Sequence, residues 1–144
     1  MYAVRYAQHC DLERLQQFFA FAKIEDELVQ QENIHFLFVE EIGQNKIVGT
    51  VGLEVYQTGG MLRSFVIDPS ANSTRIGLML IELMLAYAKQ LSLKRIYLFT
   101  DKGQLFFEKR GFQKTSYHLL PTEIKKSTHV KQAKTRGIPM VFEC

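Results

Sequence analysis

The residues best placed to do chemistry lie between Ser70 and Leu78, where Ser70, Asn72, Ser73 and Thr74 precede a long apolar run that begins at Ile76. Small hydrogen-bonding side chains ahead of a helix leave its first N–H groups open, and those donors, with the helix dipole, favour an anion. The chemistry implied is the holding of a phosphate-type group. Arg75 stands at the same junction. A cation at a helix N-terminus is unfavourable by roughly 0.3–1 kcal/mol, and a bound anion would reverse that sign and use the guanidinium fork. The alternative is an Arg75 that points to solvent. Elsewhere His9, His35, His118 and His129 show no HxxxH or HExxH spacing, and Cys10 and Cys144 sit near opposite ends. Neither set reads as a metal site.

The elements that must position this junction follow from periodicity. Leu62, Phe65, Val66 and Ile67 read as a buried strand that stops at Asp68-Pro69, because proline cannot donate to a ladder. From Ile76 to Leu91 the only polar residues are Glu82, Lys89 and Gln90, which with Arg75 make one wet stripe on an otherwise buried helix. Before this unit come a strand from Tyr2 to Ala7 and a helix from Asp11 through about Lys23. A second short helix, Glu25 to Gln31, and strands from Ile34 to Ile42 and Ile47 to Tyr56 follow, the strands joined at Gly43-Gln44-Asn45-Lys46. Gly49 and Gly52 mark places where another element packs closely. After it come a strand from Lys94 to Phe99, covered on both faces, and a short helix from Asp101 to Arg110 stopped by Gly111. A strand from Phe112 to Leu120, a helix over Thr122 to Lys131 and a terminal strand from Ile138 to Phe142 complete the chain. The fold class is therefore α+β: a mixed, mostly antiparallel central sheet of six to seven strands flanked by about four helices, in a single domain over 1–144.

With 47% hydrophobic and 23% charged residues and a net charge of +3, the 144-residue chain has the composition of an ordinary soluble protein. The longest apolar run, Leu83 to Ala88, is too short to span a bilayer, and no signal-peptide core opens the chain, so no membrane partner is expected. Two distant cysteines suit a reducing, cytoplasmic setting. Lys125, Lys126, Lys131, Lys134 and Arg136 would suit nucleic-acid phosphate, but no aromatic residue is interleaved there. A solvated helix face or the rim of a site for an acidic acceptor explains them better. The Phe18-Phe19-Phe21 group suits either core or the contact of a homodimer.

The order of elements resembles the GNAT acyl-CoA N-acetyltransferase superfamily. Phe106-Phe107-Glu108-Lys109-Arg110-Gly111-Phe112 looks like that superfamily's F-Y-E-K-x-G-F block. Val66-Ile67-Asp68-Pro69, followed from Asn72 by a loop opening a helix, is similar to its V-D-P and (Q/R)-x-x-G-x-(G/A) pyrophosphate loop. There Asn72 replaces Gln or Arg, Arg75 replaces the first glycine, and Gly77 matches the second. Phe107 stands where many members have a tyrosine that protonates the leaving thiolate. The stretch Leu119 to Ser127 and Leu62-Arg63-Ser64 resemble a short subgroup related to amino-acid N-acetyltransferases and N-acetylglutamate synthases.

The resemblance implies acetyl-CoA as cosubstrate, with no metal, and a small-molecule amine as acceptor, which the subgroup likeness extends to an amino acid or analogue. Cofactor contacts would come from Phe65, Val66 and Ile67 on the central strand, from Asn72, Ser73, Thr74, Arg75, Ile76, Gly77 and Leu78 at the loop and helix, and from Phe106 and Phe107. A backbone N–H near Val66 would polarise the thioester carbonyl. Glu54 is the candidate general base, against the plain alternative of an exposed strand glutamate. Arg63 and Ser64 could hold an acceptor carboxylate, unless Arg63 pairs with a nearby glutamate. The competing expectation for the whole chain is a non-catalytic acyl-CoA-binding or regulatory module of the same fold.

Overall fold

The computed structural model describes residues 1–22, 33–57, 59–127, 130–131 and 137–144. The described strands are β1 (Tyr2–Tyr6), β2 (Ile34–Glu41), β3 (Lys46–Val55), β4 (Gly60–Ile67), β5 (Arg95–Thr100), β6 (Gln113–Lys114) and β7 (Ile138–Glu143). The helices are α1 (Leu12–Phe21), α2 (Ser73–Gln90), α3 (Gln104–Glu108) and α4 (Thr122–Lys125). The strands form one seven-stranded sheet in the order β1-β2-β3-β4-β5-β7-β6. Every neighbouring pair is antiparallel except β4 with β5, which is parallel. This is the mixed, mostly antiparallel α+β architecture expected from the sequence.

Several elements are shorter than the sequence pattern suggests. The run from Phe112 to Leu120 is not a full strand: only Gln113 and Lys114 pair with β7, and Tyr117–Leu119 turns as a 3-10 segment. Beyond Phe112 that run keeps few apolar residues to bury, with Gln113, Lys114 and Ser116 exposed. The helix expected from Asp101 begins only at Gln104, because the Thr100 hydroxyl accepts the Gly103 N–H at 2.8 Å and holds the turn open. Gly111 ends the following turn with φ +100. Of the helix expected over Thr122 to Lys131, α4 covers Thr122–Lys125, Lys126 and Ser127 leave the helical pattern, and Val130 and Lys131 are helical again. The expected helix Glu25 to Gln31 lies outside the described residues.

Two layers of helix cover the sheet. On one face α2 lays Ile76, Leu80, Ile81, Met84 and Leu85 over Val51, Leu53, Leu62, Ile96 and Leu98, and α3 adds Phe107. Gly49 makes this approach feasible, since a Cβ there would stand 2.8 Å from Cγ2 of Ile76. Gly52 instead accommodates the Phe36 ring of the neighbouring strand. Leu83, at 42% exposure, departs from the expected all-polar outer stripe of α2. On the other face α1 buries Leu15, Phe18 and Phe19 against Phe36 and Phe38, whereas Phe21 is exposed. Next to it Ile124 of α4 packs with Val130 on Met61 and Tyr97. β5 thus sends Ile96 and Leu98 to one face and Tyr97 to the other, covered on both as expected.

The sheet is interrupted at one place. β4 and β5 pair only through Gly60 with Ile96 and Met61 with Tyr97, whereas β5 pairs with β7 along its whole length. Beyond Met61 the two parallel strands part. Against β3, Thr50 faces Val66 but Gly52 faces Arg63, so Ser64 and Phe65 together oppose Val51. That extra residue is a bulge, which bends a strand and tightens its twist.

Candidate active site

The bulge is held by a specific device. Ser64 has φ +53, a left-handed conformation that costs a non-glycine residue about 1–2 kcal/mol. The fully buried Thr50 hydroxyl donates to the Ser64 carbonyl at 2.9 Å and offsets part of that strain. A trans peptide sets C=O and N–H on opposite sides, so fixing this carbonyl directs the Phe65 N–H away from Thr50. Among the described residues no strand pairs with β4 beyond Met61 on its β5 side.

The loop leading from β4 into α2 is ordered by its own side chains. Asp68 is buried, and its carboxylate accepts from the Ser70 N–H at 2.9 Å and the Ser70 hydroxyl at 2.8 Å, with Lys46 at 3.1 Å. Those donors, the Ser70 backbone first, hold its carboxyl below the usual range. Asn72 caps α2, its side-chain oxygen accepting from the Arg75 N–H at 3.4 Å. The Ile76 N–H already closes the first helical turn on the Asn72 carbonyl at 3.0 Å, and the Ile76 side chain is fully buried. With the Arg75 N–H taken by the Asn72 cap, the backbone donors expected over Ser73 to Leu78 narrow to Ser73 and Thr74, whose N–H groups precede the helical ladder. Arg75 is exposed.

Gly77 brings this end of α2 onto the aromatic residues. A Cβ there would lie 3.2 Å from Ile67, 3.4 Å from Phe65 and 3.7 Å from Phe106. Phe65 meets Phe106 and Phe107 at ring separations of 6.1 and 5.9 Å, and Phe107 continues to Phe112. Phe107 is thus a core ring, 7% exposed, while Phe106 stays partly accessible beneath the Arg110 guanidinium. Val66 points to the other face, toward the α1 cluster.

On that other face, between α1 and α4, lies a second polar group. Glu54 is 2% exposed, which removes the reading of it as an exposed strand glutamate. Its Oε2 accepts from Arg63 at 2.6 Å, and its Oε1 accepts from the Tyr56 hydroxyl at 2.7 Å and the Ser127 hydroxyl at 2.9 Å. Arg63 also lies 3.4 Å from the Ser64 hydroxyl, so the two expected acceptor residues and Glu54 form one cluster. Burial, with the Glu54 carboxylate next, pushes the Tyr56 hydroxyl up to about 12, so it stays a donor at neutral pH. The carboxylate with its arginine and two hydroxyls forms a buried, charge-balanced network, which through Arg63 reaches β4, the strand at which the sheet is interrupted.

Sequence reasoning did not assign Tyr56, Thr50 or Ser127 to the site. The period of two along β3 placed Thr50, Gly52 and Glu54 on one face, and that was the available signal for Thr50. Nothing local marked Ser127. The remaining histidines stay apart: Nδ1 of His35 meets the Tyr87 hydroxyl at 2.9 Å, His118 is exposed, and His129 is outside the described residues. Among the described residues no helix is long and apolar enough to cross a membrane.

Comparison with known proteins agrees with this geometry. The profile of the Acetyltransferase (GNAT) family matches residues 2–112. An acetyltransferase of the GNAT family from Staphylococcus aureus Mu50 has a similar structure, with a TM-score of 0.79, 18% identity and 99% of each chain covered. A Mycobacterium tuberculosis protein solved in complex with CoA gives 0.76 at 21% identity, again over 99% of both chains. N-acetylglutamate synthase from Neisseria gonorrhoeae, complexed with coenzyme A and N-acetyl-glutamate, gives 0.75 at 17% identity; 99% of this chain matches 35% of that one.

Proposed function

This chain belongs to the acetyltransferase (GNAT) family, and from that premise we propose that it is an acetyl-CoA-dependent N-acetyltransferase acting on the amine of a small molecule, an amino acid or analogue. The observation that carries this reading is the parting of β4 from β5 beside the start of α2. The freed β4 edge suits the amides of the pantetheine arm, which would extend the sheet as a strand does. The N–H groups of Ser73 and Thr74, with Arg75, suit the diphosphate. An N–H at the bulge, in the Phe65-Val66 stretch, would polarise the acyl carbonyl. Acetyl-CoA supplies the activated acyl group as a thioester. Two structurally similar proteins are complexed with CoA, which supports this choice of cosubstrate.

The amine must be neutral to attack, so a group of the protein has to remove a proton from the ammonium form. Glu54 takes that role, and Arg63, which pairs with Glu54 and so is committed to that carboxylate rather than to an acceptor's, holds the base in place. The Tyr56 and Ser127 hydroxyls bonded to Oε1 lie on the path by which the proton would arrive. Phe107 has no proton to give. The thiol leaves as a thiolate, tolerable for a group whose pKa is about 8.5.

Thermal shift with acetyl-CoA, and then a screen of amines read by release of free CoA, tests the proposal. A ligand that binds only the folded state raises the melting temperature. Stabilisation by acetyl-CoA together with turnover of an amino-acid-like amine is the expected result. Stabilisation without turnover of any amine would favour the binding-module reading, which the buried Phe107 and the arginine at position 75 also suit. No stabilisation by either CoA or acetyl-CoA would remove both.

A further inference from the structure

We propose that Ser127 is a positioning residue of the acetyl-transfer site, acting through Glu54; the role rests on the activity proposed above. The Ser127 hydroxyl donates to Oε1 of Glu54 at 2.9 Å across a separation of 73 residues. Both groups are buried, at 9% and 2% exposure. A serine in a basic, polar tail is ordinarily solvated, so its burial against a carboxylate calls for a built support.

That support is visible on both sides of it. The fully buried Ile124 and Val130 flank Ser127 and pack on Met61 and Tyr97, the residues at which β4 and β5 last pair. The Ser127 N–H bonds the Ile124 carbonyl at 3.0 Å, and its own carbonyl accepts from Lys131 at 3.1 Å. The backbone is held at both ends, and the hydroxyl is delivered to one oxygen of one carboxylate.

The division of labour at Glu54 gives the hydroxyl its consequence. Oε2 is taken by Arg63 on β4, and Oε1 by two hydroxyls, one from Tyr56 next to β3 and one from Ser127. With both hydroxyls present, each carboxylate oxygen has donors on fixed elements, so neither rotation of the carboxylate nor drift of Arg63 is free. Without Ser127, Oε1 keeps only Tyr56, and the carboxylate can turn about the axis through Arg63. The acceptor amine would then meet a base whose position is no longer set, while the β4 edge and the start of α2 are untouched.

The test separates this role from the activity on which it rests. Purified Ser127→Ala and Ser127→Thr are compared with the unaltered chain in CoA release with the best amine of the screen, and in acetyl-CoA binding by calorimetry. Ser127→Ala should lose about tenfold to a hundredfold in kcat, the range for one hydrogen bond to a charged group, with acetyl-CoA affinity unchanged within about twofold. Ser127→Thr, which keeps the hydroxyl, should recover most of that loss. A double-mutant cycle of Ser127→Ala with Glu54→Gln in chemical unfolding reads the bond without any substrate, and its expected result is non-additivity. Equal kcat for Ser127→Ala and the unaltered chain, or no rescue by threonine, overturns the positioning role. An additive cycle overturns the bond itself. A chain that turns over no amine while its cycle is non-additive overturns the proposed activity, and the catalytic role with it, but leaves the contact standing.

Discussion

On the side of β4 that faces α2, the loop from Asp68 to Ser73 folds on itself. Asp68 binds Ser70, Asn72 caps the helix, and no partner lies farther off than Lys46. On the opposite side, Glu54 and Tyr56 around the end of β3, Arg63 on β4 and Ser127 after α4 come from three separate stretches and meet at one carboxylate. The first region has parts that are near neighbours in the chain, and in the function proposed it would serve as the anion cradle for the cofactor. The second is a network of distant parts, and in that proposal it would face the acceptor. The difference teaches where each can vary. A local loop tolerates replacement of one residue by another with similar donors, which fits an Arg75 in place of glycine. A closed network around a buried ion pair does not tolerate removal of one member, because the remaining charge is stranded.

The largest effect should come from breaking the network. Glu54→Ala takes the carboxylate away from the buried Arg63 guanidinium, and unfolding by denaturant should show a loss of about 3–5 kcal/mol. Retention of full stability would mean that the pair is not buried in solution. The softer Glu54→Gln should keep most of the fold and lose about a hundredfold or more in kcat, with acetyl-CoA affinity unchanged.

Next comes the seating of the cradle. Gly49→Val puts a side chain where a single Cβ would already be 2.8 Å from Ile76, so α2 must shift or Ile76 change rotamer. Overpacking of this kind costs about 1–3 kcal/mol, and here it should also weaken acetyl-CoA binding in calorimetry, since the start of α2 moves with Ile76. Unchanged affinity would mean that the cradle does not depend on how α2 sits on β3.

A smaller effect is expected within the loop. Asp68→Asn should lose about 1–2 kcal/mol at neutral pH, an amount for charged hydrogen bonds in which the half-exposed Lys46 counts for little. The sign with pH follows from its depressed carboxyl. Such a group adds stability that is complete above the unfolded value of about 3.9 and is lost as pH falls through its lower folded value. The difference between the unaltered chain and Asp68→Asn should therefore be constant near neutrality and shrink in acid below about pH 4. A gap that grows toward low pH would contradict the assignment. The smallest effect is Arg75→Ala, about a twofold to fivefold weaker acetyl-CoA affinity with kcat retained, as suits one exposed cation at a helix N-terminus.

Much of the fold was legible because its elements carry strong, short-range signals. The apolar run from Ile76, the strand Phe65 to Ile67 with its Asp-Pro stop, and the Gly111 terminator all act within a few residues. The elements misjudged in length were those without a decisive apolar pattern: the stretch after Phe112 and the helix after Pro121. Glu54 and Arg63 were legible as chemistry but not as a pair, since nothing in the alternation of one strand states the register of the next. The register shift between Thr50 and Gly52 decides that.

By itself the sequence determined most of the strands and helices, that the long helix opens just after the small polar residues 70–74, and that Phe107 has no proton to give. Those properties depend on side-chain type and on spacing of a few residues. Only the tertiary structure decided that β4 would part from β5 after Met61, that Ser64 would adopt a left-handed conformation under Thr50, and that Ser127 would reach Glu54. Those depend on how distant surfaces pack, and the energy of packing belongs to pairs of elements rather than to any one stretch of chain.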